Sequence, residues 1–368
     1  MTTLAYDELR ICEGAISMAY KNVNTRKTRR VMFADTDELK DINPDNLKLI
    51  EDYLSYMKGT GKADTTLTVY RSNLNIFFVW CKNYCKNKDF SEIKKNDYLK
   101  FQTYMVSENL SPARIRNVRA TLSSLSNYIE TMLDEEEKWA SFRNIILKIE
   151  APKMAKVRDN TILTDEQCQN FLDLLIKQKK FQKACAFALA WASGRRKSEL
   201  VRVKHTHIKD ENVRMEMFYK THEKVRTKGQ GRNGKMIYIY VLTEKFKPYF
   251  DLWMEERERL GVPKEIDDIF VKKEHGQWRK SKESQLNYYA DVFSKEMEVD
   301  FYFHCLRHQF TTTLLESGIP ESVVQQIIGW SSADMISIYD DRDKDDVIGE
   351  YFNENGIITK ETKGFSDL

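Results

Sequence analysis

Apolar residues recur at helical spacing through positions 45–149. The pattern predicts helices that begin near positions 45, 65, 91 and 111, and a last short helix at 139–149. Ser111-Pro112 is a typical N-cap and first-turn pair for the fourth helix. The apolar face of that helix consists of Ile115, Val118, Leu122, Leu125 and Ile129. These segments predict a compact, all-helical domain over residues 44–149.

The second half of the chain mixes helical and alternating patterns. Helices are predicted from Thr164, over the Ala-rich positions 181–192, and at positions 244–260 and 283–299. Strands are predicted at 212–218 and 235–242. These elements predict a domain of helices and strands over residues 161–350. Residues 150–160 lack an apolar face and contain a proline and three basic residues, which predicts an exposed interdomain linker.

The stretch from position 304 to 339 has the most distinctive side chains. Four polar residues, spaced three or four apart, share one face of a predicted helix and are expected to form an open cationic face: His304, Arg307, His308 and Thr311. Gly318 and Gly329 are expected to end two successive helices. Trp330 follows the second glycine, and Tyr339 lies nine positions later on a predicted short helix, 332–339.

Composition narrows the function classes only modestly. The 368 residues are 41% hydrophobic and 31% charged, yet the net charge is only +3, so binding to nucleic acid would depend on local clusters of basic residues. Six scattered cysteines predict free thiols in a reducing cytoplasm. The longest apolar run, positions 184–192, is too short to span a bilayer, so a soluble protein is expected. His304 and His308 have the spacing of a metal pair, but Arg307 between them would repel a cation, and no metal or cofactor is expected.

The order H-x-x-R, G-W and Y resembles the catalytic segment of the tyrosine recombinases, the family of phage integrases, Xer and Cre. The upstream sequence Gly-Arg-Arg-Lys-Ser-Glu-Leu resembles the first signature of that family and places its arginine on Arg196 and its carboxylate on Glu199. Arg195 stands where the family usually has an apolar residue. The glycine-containing turn at 226–235 resembles the hairpin that carries the mobile lysine of the family. That lysine is assigned to Lys228, with Lys235 as the alternative because the loop is long.

The resemblance implies a mainly α fold with a small β-sheet. A helical SAM-like core-binding domain and an α+β catalytic domain would close around DNA as a C-shaped clamp. Tyr339 would attack phosphorus and form a 3′-phosphotyrosine, with the phosphate bound by Arg196, Arg307 and Trp330. His304 would accept or orient a proton, and Lys228 would protonate the departing 5′ oxygen. Glu199 and His308 would orient these groups.

The implied partner is double-stranded DNA with a specific recombination site. Two protomers on each of two sites would form a homo-tetramer in the bacterial cytoplasm or nucleoid and exchange strands through a Holliday junction, with accessory DNA-bending proteins as candidate partners. The candidate phosphate contacts outside the catalytic centre are Arg114, Arg116, Arg119, Lys153 and Lys156. Residues 1–43 include a basic run at 24–30 that is either a solvated loop or a DNA or partner contact. The tail, 351–368, is expected to dock on a neighbouring protomer.

Two other functions remain open from the sequence. One is a non-catalytic DNA-binding factor with the same fold, although every expected catalytic position is filled. The other is a type IB topoisomerase, which has the same catalytic constellation but relaxes supercoils as a monomer. The helical first domain and the compact length favour the recombinase.

Overall fold

The computed structural model describes residues 37–155, 160–227 and 234–330, together with the backbone of the strand pair Phe352–Asn353 and Gly356–Ile357. Tyr339, Lys228 and Lys156 lie outside the described residues, as do residues 1–36 and the predicted short helix 332–339. The described chain forms two compact units. Residues 37–155 belong to one, and residues 160–227 and 234–330 to the other.

The first unit is built from four helices. They are α1 (Pro44–Gly59), α2 (Asp64–Tyr84), α3 (Lys95–Ser107) and α4 (Pro112–Met132). The Ser111 hydroxyl accepts from the backbone N–H of Arg114 at 3.2 Å, so the predicted N-cap of α4 is confirmed. The predicted apolar face of α4 is also confirmed, since all five of its residues are buried. Phe77 of α2 packs against Phe101 of α3 with ring centroids 5.1 Å apart.

The predicted helix at 139–149 is wrong. The structure has turns there, followed by a single 3-10 turn, Ile146–Lys148. Asn144 explains the difference, because its side-chain oxygen accepts from the backbone N–H of Ile146 at 3.1 Å. Its side-chain nitrogen donates to the carbonyl of Ser123 at 3.1 Å. An asparagine side chain that bonds both a nearby backbone N–H and a carbonyl of a neighbouring helix competes with the hydrogen bonds that a helix would need here.

The second unit surrounds an Ala-rich helix with further helices and small sheets. Its helices are α5 (Asp165–Lys177), α6 (Phe181–Ser193), α7 (Lys197–Leu200), α8 (Thr243–Arg259), α9 (Glu283–Met297), α10 (Phe303–Glu316) and α11 (Glu321–Ile328). Every residue of α6 from Ala184 to Ser193 is buried. The small alanine side chains allow α5, α8 and α10 to pack closely against α6. The helices predicted at 181–192, 244–260 and 283–299 are therefore confirmed, as is the Thr164 cap, which accepts from the N–H of Gln167.

The strands are shorter and more numerous than predicted. They are β1 (Val213–Arg214), β2 (Phe218–Lys220), β3 (Val225–Thr227), β4 (Lys235–Ile237), β5 (Tyr240–Leu242), β6 (Val271–Glu274) and β7 (Gln277–Lys280). The segment 212–218 turns back on itself at Met215 and Glu216, which both have positive φ. The segment 235–242 divides between two antiparallel sheets, because β4 pairs with β3 and β5 pairs with β2. The alternation of apolar and polar residues along the sequence gives no sign that one extended segment pairs with two different strands.

The cysteines within the described ranges are free and buried: Cys81, Cys85, Cys168, Cys185 and Cys305. Burial raises the pKa of the Cys168 thiol to about 12. None of the helices in the described parts of the chain is long and apolar enough to cross a membrane.

Candidate active site

A sharp turn at positions 194–196 connects α6 to α7 and organises the site. Gly194 ends α6 with φ of +57°, and a Cβ on it would lie 2.6 Å from Cδ1 of Phe310 in α10. Only glycine therefore allows α10 to pack this close. The carbonyl oxygen of Gly194 accepts a hydrogen bond from Nη1 of Arg307 at 2.8 Å. The turn thus fixes one of the two predicted phosphate-binding arginines.

Arg196 is the N-cap residue of the short helix α7 and is partly exposed. Its Nη1 lies 3.2 Å from Oε1 of Glu199, three positions later in the same helix. Glu199 is fully buried and also accepts a hydrogen bond from the hydroxyl of Thr227 at the end of β3. Glu199 therefore connects Arg196 to the strand that leads into the hairpin, a contact that the sequence did not predict.

The charge of Glu199 is set by the arginines around it. Burial is the largest single influence and acts to raise the pKa of this carboxyl group. Arg195, the Thr227 hydroxyl, Arg307 and Arg196 together outweigh it, so the pKa lies below its usual value. Three guanidinium groups thus face one ionised carboxylate, which leaves this centre with an excess of two positive charges. Such an excess suits an anion with several oxygens, such as a phosphate group.

Arg307 and Trp330 lie together in the interior of the second unit. Arg307 is completely buried, as is Thr311 one turn later, so the prediction of an open cationic face on α10 is wrong. α10 is enclosed because it packs against the buried helix α6. The guanidinium carbon of Arg307 lies 5.7 Å from the centroid of the Trp330 ring, within cation–π distance. The arginine of the H-x-x-R motif and the tryptophan of the G-W motif therefore lie close together, as predicted.

His304 and His308 occupy successive turns of α10 and are both half-buried. Their rings are 5.4 Å apart and nearly perpendicular. His308 also lines a cavity between α10 and residues 161–165, together with Thr312 and Glu316. His308 therefore borders this cavity as well as the ring of His304.

The turn that precedes Trp330 is held by two cations. Arg195 is buried, with 1% of its surface exposed, and donates to the carbonyl oxygens of Ile327 and of Ile328, the latter at 3.0 Å. Lys235, the first residue of β4, places Nζ 3.2 Å from the carbonyl oxygen of Gly329 and 3.4 Å from that of Trp330. The sequence marked Arg195 only as a charged residue at an apolar position, and no signal in the sequence indicated its partners.

The five candidate DNA contacts outside this site belong to the other part of the chain, and three of them are on α4. Arg114 is partly buried, and its Nη1 donates to the side-chain oxygen of Asn73 at 2.6 Å. Arg116 is exposed, and its Nε donates to the carbonyl of Pro152 at 2.8 Å. Arg119 is also partly buried, beside Tyr98. Lys153 is exposed.

One further cluster has metal-ligand chemistry. His207, His222 and Glu223 offer ligand atoms within 4.8 Å of one another. However, Nδ1 of His207 accepts from the backbone N–H of Lys204 at 3.2 Å, so Nε2 carries the proton that faces Glu223 at 3.3 Å. The ammonium group of Lys204 lies 3.0 Å from the same carboxylate. The donor set therefore does not fit a metal, because a proton and an ammonium group occupy the positions that an ion requires.

Comparisons with known proteins cover both units of the chain. Residues 161–345 match the model of the phage integrase family, and residues 49–138 match the N-terminal SAM-like domain of phage integrases. The SPbeta prophage-derived recombinase-like protein YomM of Bacillus subtilis (strain 168) is 26% identical over 80% of this chain and 86% of its own length. Tyrosine recombinase XerD of Lacticaseibacillus casei is also 26% identical, over 79% of this chain and 92% of its own length.

Solved structures show the same fold. The XerH site-specific recombinase, in complex with a palindromic difH substrate, aligns with a TM-score of 0.62 at 17% identity, over 84% of this chain and 97% of that one. The integrase of transposon Tn1549, in complex with transposon right end DNA, aligns with a TM-score of 0.59 at 17% identity, over 82% of this chain and 97% of that one. The family match and the recombinase relatives define an enzyme that breaks and rejoins DNA strands. The chain belongs to the phage integrase family, and it is a site-specific tyrosine recombinase, which confirms the predicted fold class and function.

Proposed function

We propose that this recombinase binds the scissile phosphate of its DNA site with Arg196, Arg307 and Trp330 and cleaves the strand with Tyr339. The observation that supports the proposal is that three guanidinium groups surround the single ionised carboxylate of Glu199, which leaves an excess of two positive charges. A phosphodiester gains negative charge on its way to a five-coordinate transition state. Cations that are already in position stabilise that charge without reorganisation.

In the proposed reaction, the phenolic oxygen of Tyr339 forms a bond to phosphorus while the bond from phosphorus to the 5′ oxygen breaks. His304 accepts the phenolic proton or orients the phosphate, with His308 beside it, and the departing 5′ oxygen receives a proton from Lys228. The product is a 3′-phosphotyrosine. It conserves the energy of the phosphodiester, so that a 5′ hydroxyl of the partner strand can reverse the reaction and rejoin the DNA.

Lys228 is the proposed proton donor in preference to Lys235. The Nζ of Lys235 is within hydrogen-bond distance of two backbone carbonyls, those of Gly329 and Trp330. These two contacts commit the ammonium group of Lys235 to the backbone of the Trp330 turn. Lys228 follows Thr227 directly, and Thr227 is tied to the buried Glu199, so the base of that hairpin is anchored at the site.

Assembly is the second part of the proposal. Two protomers bind each recombination site in double-stranded DNA, four protomers exchange strands through a Holliday junction, and residues 351–368 dock on a neighbouring protomer. The proposed domains are residues 44–149 for core binding and 161–350 for catalysis, joined by a linker at 150–160. Solved relatives in complex with DNA substrates support DNA as the partner. Exposed Lys153 and neighbouring Lys156 are proposed to contact phosphates from the linker.

The test is covalent capture of DNA. The full-length protein is incubated with a nicked, partly randomised duplex library, and adducts that survive denaturation are isolated and their DNA sequenced. We expect an adduct with a preferred sequence that disappears in Tyr339→Phe and persists in the control Tyr288→Phe, which alters an exposed tyrosine outside the proposed site. An adduct that survives Tyr339→Phe would refute the nucleophile. Binding without any adduct would indicate a DNA-binding factor, and sequence-independent plasmid relaxation by a monomer would indicate a topoisomerase.

A further inference from the structure

A buried arginine at position 195 requires a physical explanation. Burying a guanidinium group costs free energy unless its donors are hydrogen-bonded. Burial is also the main reason that the pKa of Arg195 falls to about 10, which still leaves the group charged at neutral pH. An apolar side chain would fill the same space without this cost. The guanidinium charge must therefore interact with groups that an apolar side chain could not satisfy.

Glu199 supplies an opposite charge, and the hydrogen-bond partner of the guanidinium group is the C-terminal end of α11. The backbone N–H groups of Gly329 and Trp330 both bond to the carbonyl of Gln325, at 2.8 and 3.0 Å. The carbonyls of Ile327 and Ile328 lie beyond this closure and accept from Arg195. Helix ends leave such carbonyls without intrahelical donors, and their partial negative charge attracts a cation. The planar fork of arginine can bond two neighbouring oxygens at once.

The position of Arg195 in the chain gives this contact a functional meaning. Gly194 accepts from Arg307, Arg195 holds the end of α11, and Arg196 follows directly. Three consecutive residues thus relate the two proposed phosphate-binding arginines to Ile327 and Ile328, at the helix end that precedes Trp330. The backbone at Gly329 is closely surrounded, since a Cβ there would lie 2.8 Å from Cδ1 of Ile237 and 3.4 Å from Nη1 of Arg195.

We propose that Arg195 is a positioning residue, which sets the location of the Trp330 indole relative to Arg196 and Arg307 through the carbonyls of Ile327 and Ile328. The inference rests on the proposed role of Trp330 as a phosphate ligand. Arg195 itself does not bind the phosphate, because its two Nη atoms are directed at the helix end. Lys235 adds to the same function by bonding to the next two carbonyls, so the hairpin strand β4 is joined to the Trp330 turn.

The test is a double-mutant cycle between Arg195→Met and Trp330→Phe. It measures the single-turnover rate of covalent adduct formation at saturating protein, and the dissociation constant for DNA is measured in parallel. Misplacing a reacting group by about 1 Å can cost on the order of 100-fold in rate. We expect Arg195→Met to slow cleavage by roughly 100-fold in the wild-type background but by less than about 3-fold in Trp330→Phe. DNA affinity should change little.

Arg257 provides a matched control. It is also buried, and its guanidinium donates to two backbone carbonyls, those of Ile266 and Asp268, away from the arginine cluster. Arg257→Met should destabilise the fold comparably, but its effect on cleavage should be the same in both backgrounds. Additive effects of Arg195→Met and Trp330→Phe, or a loss that lies mainly in DNA affinity, would overturn the inference.

A second measurement covers the case in which Arg195→Met does not fold. In protein labelled with 5-fluorotryptophan, the ¹⁹F resonance of Trp330 is assigned from Trp330→Phe. Arg195→Lys keeps the charge but not the fork, and we expect it to move that resonance while the other five tryptophan signals stay in place. An unmoved Trp330 resonance would refute the positioning role. If the wild type forms no adduct at all, the proposed function fails instead, and the two failures are distinguishable.

Discussion

The hydrogen bond from Nη1 of Arg307 to the carbonyl oxygen of Gly194 joins residues 113 positions apart at 2.8 Å. It depends on Gly194 for a second reason, since the same glycine lets Phe310 of α10 approach α6. The packing of α10 and the position of the Arg307 guanidinium group thus both depend on one backbone position. A side chain at Gly194 would disturb both at the same time.

Gly194→Ala is therefore expected to lower the free energy of unfolding by about 1–3 kcal/mol, through positive φ and contact with the Phe310 ring. It should also slow covalent adduct formation, because Arg307 shifts with α10. Chemical denaturation and single-turnover cleavage provide the two measurements. Gly261→Ala is the control, since Gly261 also has positive φ but a Cβ there meets no atom within 4 Å. Equal loss of cleavage in both variants would contradict the expectation.

The two hairpin lysines can be separated by the chemistry of the leaving group. Lys228→Met should slow cleavage by about 10²–10⁴-fold if Lys228 donates the proton. A substrate with sulfur in place of the 5′ bridging oxygen should restore most of that rate, since a thiolate leaves without protonation. Lys235→Met should also slow cleavage, because its carbonyl contacts hold the Trp330 turn, but sulfur should not restore the rate. Recovery of Lys235→Met instead would assign the proton to Lys235.

Sequence alone predicted the candidate site residues that fall within short local motifs. Spacing placed His304 and Arg307 on one helix, and the family signature pointed to Arg196 and Glu199, which the structure shows in contact. The burial of Arg307 and the partners of Arg195 could not be predicted, because they depend on elements more than a hundred positions away. The sheet change between β4 and β5 was also missed. It is determined by Thr221, whose backbone and hydroxyl both bond to Ile239.

Glu199 predicts a specific dependence of stability on pH. Its pKa in the folded protein lies below the ordinary value of 4.5. The ionised carboxylate therefore stabilises the fold above that pH, and the contribution is lost as pH falls through the folded-state pKa. We expect Glu199→Gln to be less stable than wild type at pH 7 and to lose less stability on acidification below about pH 4.5.

The measurement is urea unfolding at closely spaced values between about pH 3 and pH 7. Glu166→Gln, which alters an exposed carboxyl in the first turn of α5, is the control and should follow the wild-type curve. Parallel curves for wild type and Glu199→Gln would show that the arginines do not hold this carboxyl in its ionised form.

Substitutions of Arg114 and Lys153 are expected to have different effects on stability and on DNA binding, although both residues were predicted to contact DNA. Nη1 of Arg114 donates to Asn73, which is fully buried, so Arg114→Met leaves a buried amide oxygen without that donor. Loss of one partner of a buried polar group costs about 1–3 kcal/mol. We expect Arg114→Met to lower the free energy of unfolding by this amount and to leave the salt dependence of DNA binding nearly unchanged.

Lys153→Ala should show the opposite behaviour. Its side chain is exposed, and removing one phosphate contact lowers the slope of log affinity against log salt by about 1. Titrations at four salt concentrations and thermal unfolding of each variant give the comparison. A reduced salt slope in Arg114→Met with unchanged stability would show that Arg114 turns away from Asn73 to bind a phosphate. In that case the contact with Asn73 belongs only to the DNA-free protein.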